Sequence, residues 1–371
     1  MRASAVEGLV LANSNDELLN ELTSVRSMAS VPFGGRYRLI DFTLSNLVHS
    51  GVSSVGLITK ENYRSLMDHI GNGFYWDLDR KGGGVYLLPP YVTSGVRRYT
   101  GTIDALFGAM NFLKRSKADY IVISGSDTIA NIDISAAIES HINKQADITV
   151  VYHYGKKPVN HDDIMILDLD SDNKIKAVNF KSNGEDVNYG IETTIIGKEL
   201  LKKLIKESYD NGGENFNRDI ISAYVDKLNI YGYEHKEFVA VLDGMHSYIE
   251  TNMALLKTDV RRQLFKKERP ILTKTRDDMP TRYGTKSVVN NCFIADGCII
   301  DGTVENSILF RGVNVEKGAV VKNCILMQET TVGTNAVLEN VIADKNAVIG
   351  EGMTVKGTKE KSFFINKNQV V

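Results

Sequence analysis

The C-terminal part of the chain carries a six-residue beat, and few folds can accommodate one. Val288, Ile294 and Ile300 stand six apart. After a shift in phase, Val313, Ala319, Ile325, Thr331, Val337, Ala343, Ile349 and Val355 keep the same interval. Gly297, Gly302, Gly312, Gly318, Gly333, Gly350 and Gly352 crowd the intervening turns together with asparagines. A hexapeptide period predicts a parallel β-helix with triangular coils, one small aliphatic residue facing inward per side. An amphipathic α-helix is a poor rival, since its apolar stripe repeats at 3.6 residues and tolerates few glycines. Solenoids of this kind either carry acyl-transfer sites or act as assembly platforms. No histidine follows His246 to serve as the base of an acyltransferase, so the sequence favours assembly.

The preceding residues have another rhythm. Gly8–Ala12, Val55–Ile58 and Tyr120–Ile123 are short apolar runs suited to buried strands. Between them, Ile40–Val48 (ending before Gly51), Glu61–Ile70 and Asp104–Arg115 show helical spacing. The alternation predicts an open, mostly parallel, Rossmann-like α/β sheet with helices on both faces and a ligand site at the carboxyl ends of the strands. The expected division is residues 1–255, a connector over 256–285, and the β-helix over 286–371. A hydrophobic share of 43% supports a core in each part, and a net charge of −2 provides no basic field for nucleic acid or an anionic membrane. No apolar stretch nears the roughly 18 residues of a membrane span, so the expected location is the cytoplasm. Cys292, Cys298 and Cys324 lack CxxC spacing and are expected to be buried thiols rather than disulfides or metal ligands.

Val31–Asn46 resembles the VPFGGKYRIIDFxLSN stretch of the glucose-1-phosphate adenylyltransferases, which make ADP-glucose for glycogen synthesis. The resemblance continues through Ile70–Asp79, Tyr99–Ala105 and Ile294–Asn306 and covers nearly the whole chain. It implies nucleotidyl transfer: glucose 1-phosphate attacks the α-phosphorus of ATP, Mg²⁺ neutralises the phosphates and pyrophosphate leaves. Such chemistry needs a glycine-rich loop that cradles the triphosphate, cations beside it and carboxylates that hold the metal.

Set against that pattern, the loop is altered. The family's GGxGxRL aligns with Asn13–Leu19, so its three glycines are Asn13, Ser14 and Asp16 here, and its arginine is Leu18. In the following LTxxRAKPAV segment the lysine is Met28, and only Arg26 is kept as a candidate phosphate ligand. Side chains at glycine positions block close backbone approach, while Asp16 and Glu17 put negative charge where a triphosphate would lie. One preorganised donor is typically worth about 10²–10³ in rate, so no intact catalytic set is expected. Other family positions are kept. Asp127, at a strand end, and Asp219 match the metal carboxylates. Gly101, Thr102 and Asp104 match GTADA, and Gly190 matches MGIY, all on the sugar-phosphate side. The EKP motif is missing, with Lys181 near its place.

His246, in Asp243–Tyr248, and Trp76, flanked by Phe74 and Tyr75, are expected to be structural. The cations Arg261, Arg262, Lys266, Lys267 and Arg269 are expected on a solvated face, with an anionic effector site as the alternative. Scaffold motifs are intact and phosphate-handling positions are not, as in the non-catalytic companion chain of glycogen synthesis in Gram-positive bacteria. The expectation is a regulatory subunit in a hetero-oligomer, a tetramer by resemblance, with a catalytic adenylyltransferase subunit and with a small phosphorylated effector as a possible ligand. It requires no cofactor, Mg²⁺ entering only with nucleotide. The alternatives are a weakly active adenylyltransferase and a hexapeptide acyltransferase.

Overall fold

The computed structural model describes residues 6–12, 15–60, 62–90 and 99–371. The positions Asn13 and Ser14, and Glu61 as the expected start of a helix, lie outside the described residues. Four parallel strands form one half of the first sheet, from its edge inward: Gly84–Leu88, Ser54–Ile58, Val6–Leu11 and Tyr120–Ser124. The sheet then turns antiparallel with Asp186–Gly197, which also pairs with Ile148–Lys156. Ile166–Leu169, Ile175–Asn179 and Ile230–Glu234 complete it.

Strand alternation explains the two layers of core. Val6 and Val10 pack on one face with Val122, Leu44 and Leu47, while Leu9, Leu11, Ile121 and Ile123 pack on the other with Leu106, Leu113 and Leu204. Gly8 is needed where the helix Leu39–His49 crosses its strand, since a Cβ there would lie 2.9 Å from a Leu47 methyl. The run expected as one helix over Asp104–Arg115 forms two, Thr102–Gly108 and Met110–Arg115. They meet at Ala109, whose φ of −82° and ψ of 0° leave the helical region. Among the described residues no helix is long and apolar enough to cross a membrane.

From Arg282 onward the chain forms three parallel five-stranded sheets, the arrangement of a left-handed parallel β-helix. The coil is not built from a strict six. Val304 pairs with Val321, Val321 with Leu338 and Leu338 with Val355, a step of 17 residues through the middle coils, whereas Val289 pairs with Val304 and Val341 with Phe363 at steps of 15 and 22. Each middle coil therefore takes two six-residue sides and one of five, and a fixed interval of six precesses around it. Val313, Ala319, Ala343, Ile349 and Val355 lie inside the solenoid. Ile325 points out into a different cluster, Thr331 and Val337 are half-buried on outer faces, and Val288 is exposed. The turns are as expected: Asn291, Asn306, Asn323, Asn335, Asn340 and Asn346 take positive φ, as do Gly312 and Gly318.

One side of the solenoid is covered. Ile308, Ile325 and Ile342 face outward and pack with Phe310, Met327, Phe33, Phe42, Tyr248 and Leu264 in a core shared between the two parts. Phe265 of the connector stacks on Tyr37 at 5.3 Å and on Phe293 at 6.4 Å. The three cysteines are free; burial pushes the Cys298 thiol up to about 11 and that of Cys324 up to about 12.

Candidate functional site

A cleft of about 370 Å³ opens at the carboxyl ends of the parallel strands, as an open α/β sheet dictates. Leu11 and Ile58 form its floor; Asn15, Lys60, Gly101, Thr102, Asp163, Asn215 and Arg218 are among its walls.

The segment after the first strand runs close beside it, but its candidate ligands turn away. Asp16 and Glu17 open the short 3₁₀ turn Asp16–Leu19. The Asp16 carboxylate accepts the Met28 N–H at 2.7 Å, and its carbonyl accepts the Thr23 hydroxyl at 2.5 Å. Leu18 and Met28 pack in the core shared with the β-helix, Met28 fully buried. Arg26 is 2% exposed and forms a bidentate ion pair with Asp344 of the β-helix at 2.9 and 2.8 Å, donating also to the Leu22 carbonyl at 3.2 Å. The guanidinium expected at a phosphate is thus spent on joining the two parts.

The motif Gly101–Ala105 is built into the scaffold. A Cβ on Gly101 would lie 2.2 Å from the Glu214 carbonyl oxygen, so only glycine permits that approach. Thr102 Oγ1 accepts the Phe216 N–H at 2.8 Å, and Asp104 accepts the Thr100 N–H at 3.2 Å. Gly190 donates its N–H to the Met165 carbonyl at 2.9 Å within the sheet. Lys181 is exposed and is not among the residues that line the cleft.

The two candidate metal carboxylates do not meet. Asp219 folds back on its own turn, accepting the N–H groups of Glu214 and Asn215 at 2.7 Å each, and lines a separate hollow with Ser208 and Gly213. Asp127 is fully buried, and its Oδ2 accepts the Asn15 amide at 2.8 Å. His161 brings Nε2 to 3.3 Å from the same oxygen and to 2.7 Å from the Asn15 amide nitrogen. Asp127 Oδ1 is buried with no hydrogen-bond partner among the described residues. Among the described residues no three His, Cys, Asp or Glu side chains converge as metal ligands. The residues present therefore do not form the Mg²⁺ site that the resemblance implies.

Two residues missed in the sequence give this corner its charge. Glu192 sits at a register shift in the long strand Asp186–Gly197 with φ +55°, a bulge that turns its carboxylate toward Gly125 and Asp127. Burial, reinforced by the Asp127 charge, raises its pKa to about 7. For His161 burial works to lower the pKa, but the hydrogen bond and charge of Asp127, with Glu192 and Asp163 behind it, raise it to about 9. Glu192 was visible as an acid inside an apolar run, standing where MGIY has its tyrosine. Nothing in the sequence linked His161 to Asp127, 34 positions away.

The remaining candidates are structural. Trp76 is fully buried, edge-on to His69 at 5.5 Å. His246 pairs with Glu250 at 3.3 Å on the surface. In the connector Arg261 donates to the Leu255 carbonyl at 2.6 Å, Lys266 pairs with Glu237 at 2.5 Å and Arg269 with Asp133 at 2.6 Å.

Residues 7–257 match the nucleotidyl transferase family, and residues 278–371 match the GlmU-like C-terminal hexapeptide family. The chain is 40% identical over 365 residues to the glycogen biosynthesis protein GlgD of Geobacillus stearothermophilus, covering 98% of this chain and 96% of that one. The chain belongs to the glucose-1-phosphate adenylyltransferase family and is of GlgD type. Against GlgD of Bacillus subtilis the identity is 35%, with 98% and 96% covered. Against the glucose-1-phosphate adenylyltransferase of Geobacillus stearothermophilus it is 32%, with 85% and 82% covered. The sheet, its cleft and the solenoid are thus family features, and the side chains lining the cleft are where this chain has to be read on its own terms.

Proposed function

We propose that this chain is a catalytically impaired, regulatory subunit of ADP-glucose pyrophosphorylase in glycogen biosynthesis. The observation that carries the reading is the fate of the phosphate-handling positions: Leu18 and Met28 lie in the core, and Arg26 is consumed by Asp344. Glu17 adds negative charge to the cleft lining. A chain without catalytic duty still needs its scaffold, and the PFGG turn, the helix Leu39–His49 and the solenoid persist. The GlgD relatives support the glycogen setting through their names.

In this reading the chain works in the cytoplasm in a mixed oligomer with a catalytic adenylyltransferase, raising its activity or altering its response to a phosphorylated effector. A coupling of about 1–3 kcal/mol would change apparent affinity roughly 5–150-fold. The test is ADP-glucose synthesis by the purified chain, by a catalytic adenylyltransferase from the same cell, and by the two co-expressed. The expected result is a silent chain and a mixture that exceeds the catalytic subunit or shows shifted substrate affinity. Turnover by this chain alone near the catalytic subunit's rate would overturn the reading in favour of an adenylyltransferase with a rebuilt phosphate cradle.

A further inference from the structure

The segment Lys157–Asp163 is strapped over the buried end of the cleft from both sides. Lys157 Nζ donates to the His161 carbonyl at 2.9 Å, and the Asn160 N–H donates to Asp243 at 3.1 Å. On the other side Asn217 donates to the Asp163 carbonyl at 2.9 Å, and Arg218 donates to the Asp162 carbonyl at 2.9 Å and to the Asp163 carboxylate at 3.2 Å. These ties drive His161, 3% exposed, onto Asp127. Asn15, held at φ 61°, closes the same oxygen from the opposite loop.

A second observation points to what is being covered. Asp127 Oδ1 is buried with no hydrogen-bond partner among the described residues, and its neighbours Gly125, His161 and Glu192 wall a small cavity of about 50 Å³. A buried carboxylate oxygen left without a donor is unfavourable, and two carboxylates at this corner make an oxygen-rich place of the kind a hard divalent cation takes.

We propose that Lys157–Asp163 is an internal plug, in which His161 and Asn15 stand in the place of a divalent cation at Asp127. Withdrawing the imidazole would turn Asp127 and Glu192 into a site for Mn²⁺ or Mg²⁺. This rests on the non-catalytic reading above, but its readout is metal binding rather than turnover.

The test is Mn²⁺ binding to the full chain, followed by the paramagnetic resonance of free Mn²⁺, for the wild type, His161→Ala and His161→Ala/Asp127→Asn. The expected pattern is no binding at millimolar Mn²⁺ for the wild type, at least a tenfold gain in affinity for the single variant, and loss of that gain in the double variant. Should His161→Ala fail to fold, Lys157→Ala/Asp243→Asn loosens the strap with His161 kept, and a measurable gain is again expected. The plug is ruled out if the wild type already binds Mn²⁺ as tightly as the folded variants, if neither variant gains affinity, or if the gain survives Asp127→Asn. A chain that makes no ADP-glucose yet gives one of those results would defeat the plug and leave the non-catalytic reading standing.

Discussion

His141 and His235 are buried at 2% and 7% exposure, and burial pushes each imidazole down to about 4. Asp147 near His141 and Glu237 near His235 oppose the shift without reversing it. His141 keeps a 2.8 Å contact with Thr149 Oγ1, and His235 Nε2 has no hydrogen-bond partner among the described residues. In the unfolded chain both groups take up a proton near pH 6.5, whereas the folded chain resists until about pH 4. Between those values the unfolded state binds more protons, so stability rises with pH; the contribution is complete above about 6.5 and lost as pH falls toward 4. Replacing both by glutamine should flatten this part of the curve. The wild type is expected to lose about 1–2 kcal/mol per histidine more than H141Q/H235Q between pH 7 and pH 5, measured as urea-unfolding free energy. Equal slopes would show that neither imidazole is held neutral by burial. At this scale the sequence was informative about what had been replaced and silent about destinations. Leu18 and Met28 were legible as lost cations, but their packing in one cluster with Ile308 and Ile325 depends on a solenoid that begins only at Arg282. Glu192 and His161 acquire their roles from a bulge and a strap that no local pattern encodes.

Among the elements, the solenoid was the most legible and also the most instructive in its error. A periodic signal survives in sequence because every coil repeats the same burial problem, whereas strands in the sheet each have their own neighbours. The interval of six was read correctly; the shorter side in each middle coil was not, because small inward residues such as Ala319 and outward ones such as Val337 look alike in a linear pattern. The registered step of 17 makes a sharp distinction between adjacent residues. Leu338 is fully buried inside the column Val304–Val321–Leu338–Val355, while Val337 is half-buried on the outer face. Leu338→Ala should cost about 2–5 kcal/mol, and Val337→Ala under about 1 kcal/mol. Comparing urea midpoints of the two variants checks the register, and a larger cost at Val337 would reverse the assignment of inside and outside. The first helix of the sheet was equally readable from its 3.6 spacing, while the break at Ala109 was signalled only by Gly108 before it, since residues Asp104–Arg115 contain no proline and their apolar spacing continues.

For the whole molecule, the decisive contact is Arg26–Asp344, which spans 318 positions in sequence and joins the sheet domain to the solenoid. Both side chains are 2% exposed, so neither charge can fall back on water. The site is rich in positive charge: burial first, then Arg38 and Arg26, push the neighbouring Lys345 down to about 7. Breaking one partner of a buried pair is typically worth about 3–5 kcal/mol, because the survivor is left uncompensated, whereas replacing both by apolar groups is often nearly neutral. Arg26→Met is therefore expected to destabilise by about 3–5 kcal/mol, and Arg26→Met/Asp344→Leu to recover most of that loss. Recovery should fall short by about 1 kcal/mol, since Asp344 Oδ1 also accepts the Lys345 N–H at 2.7 Å and that donor would lose its partner. The same pair discriminates between two roles for Arg26. If it only joins the two parts, the double variant regains stability and still supports a catalytic partner in ADP-glucose synthesis. If the guanidinium also meets a ligand of the assembled enzyme, the double variant will fold as well as the wild type and yet fail in the co-expression assay, and Arg26 must then leave Asp344 during function.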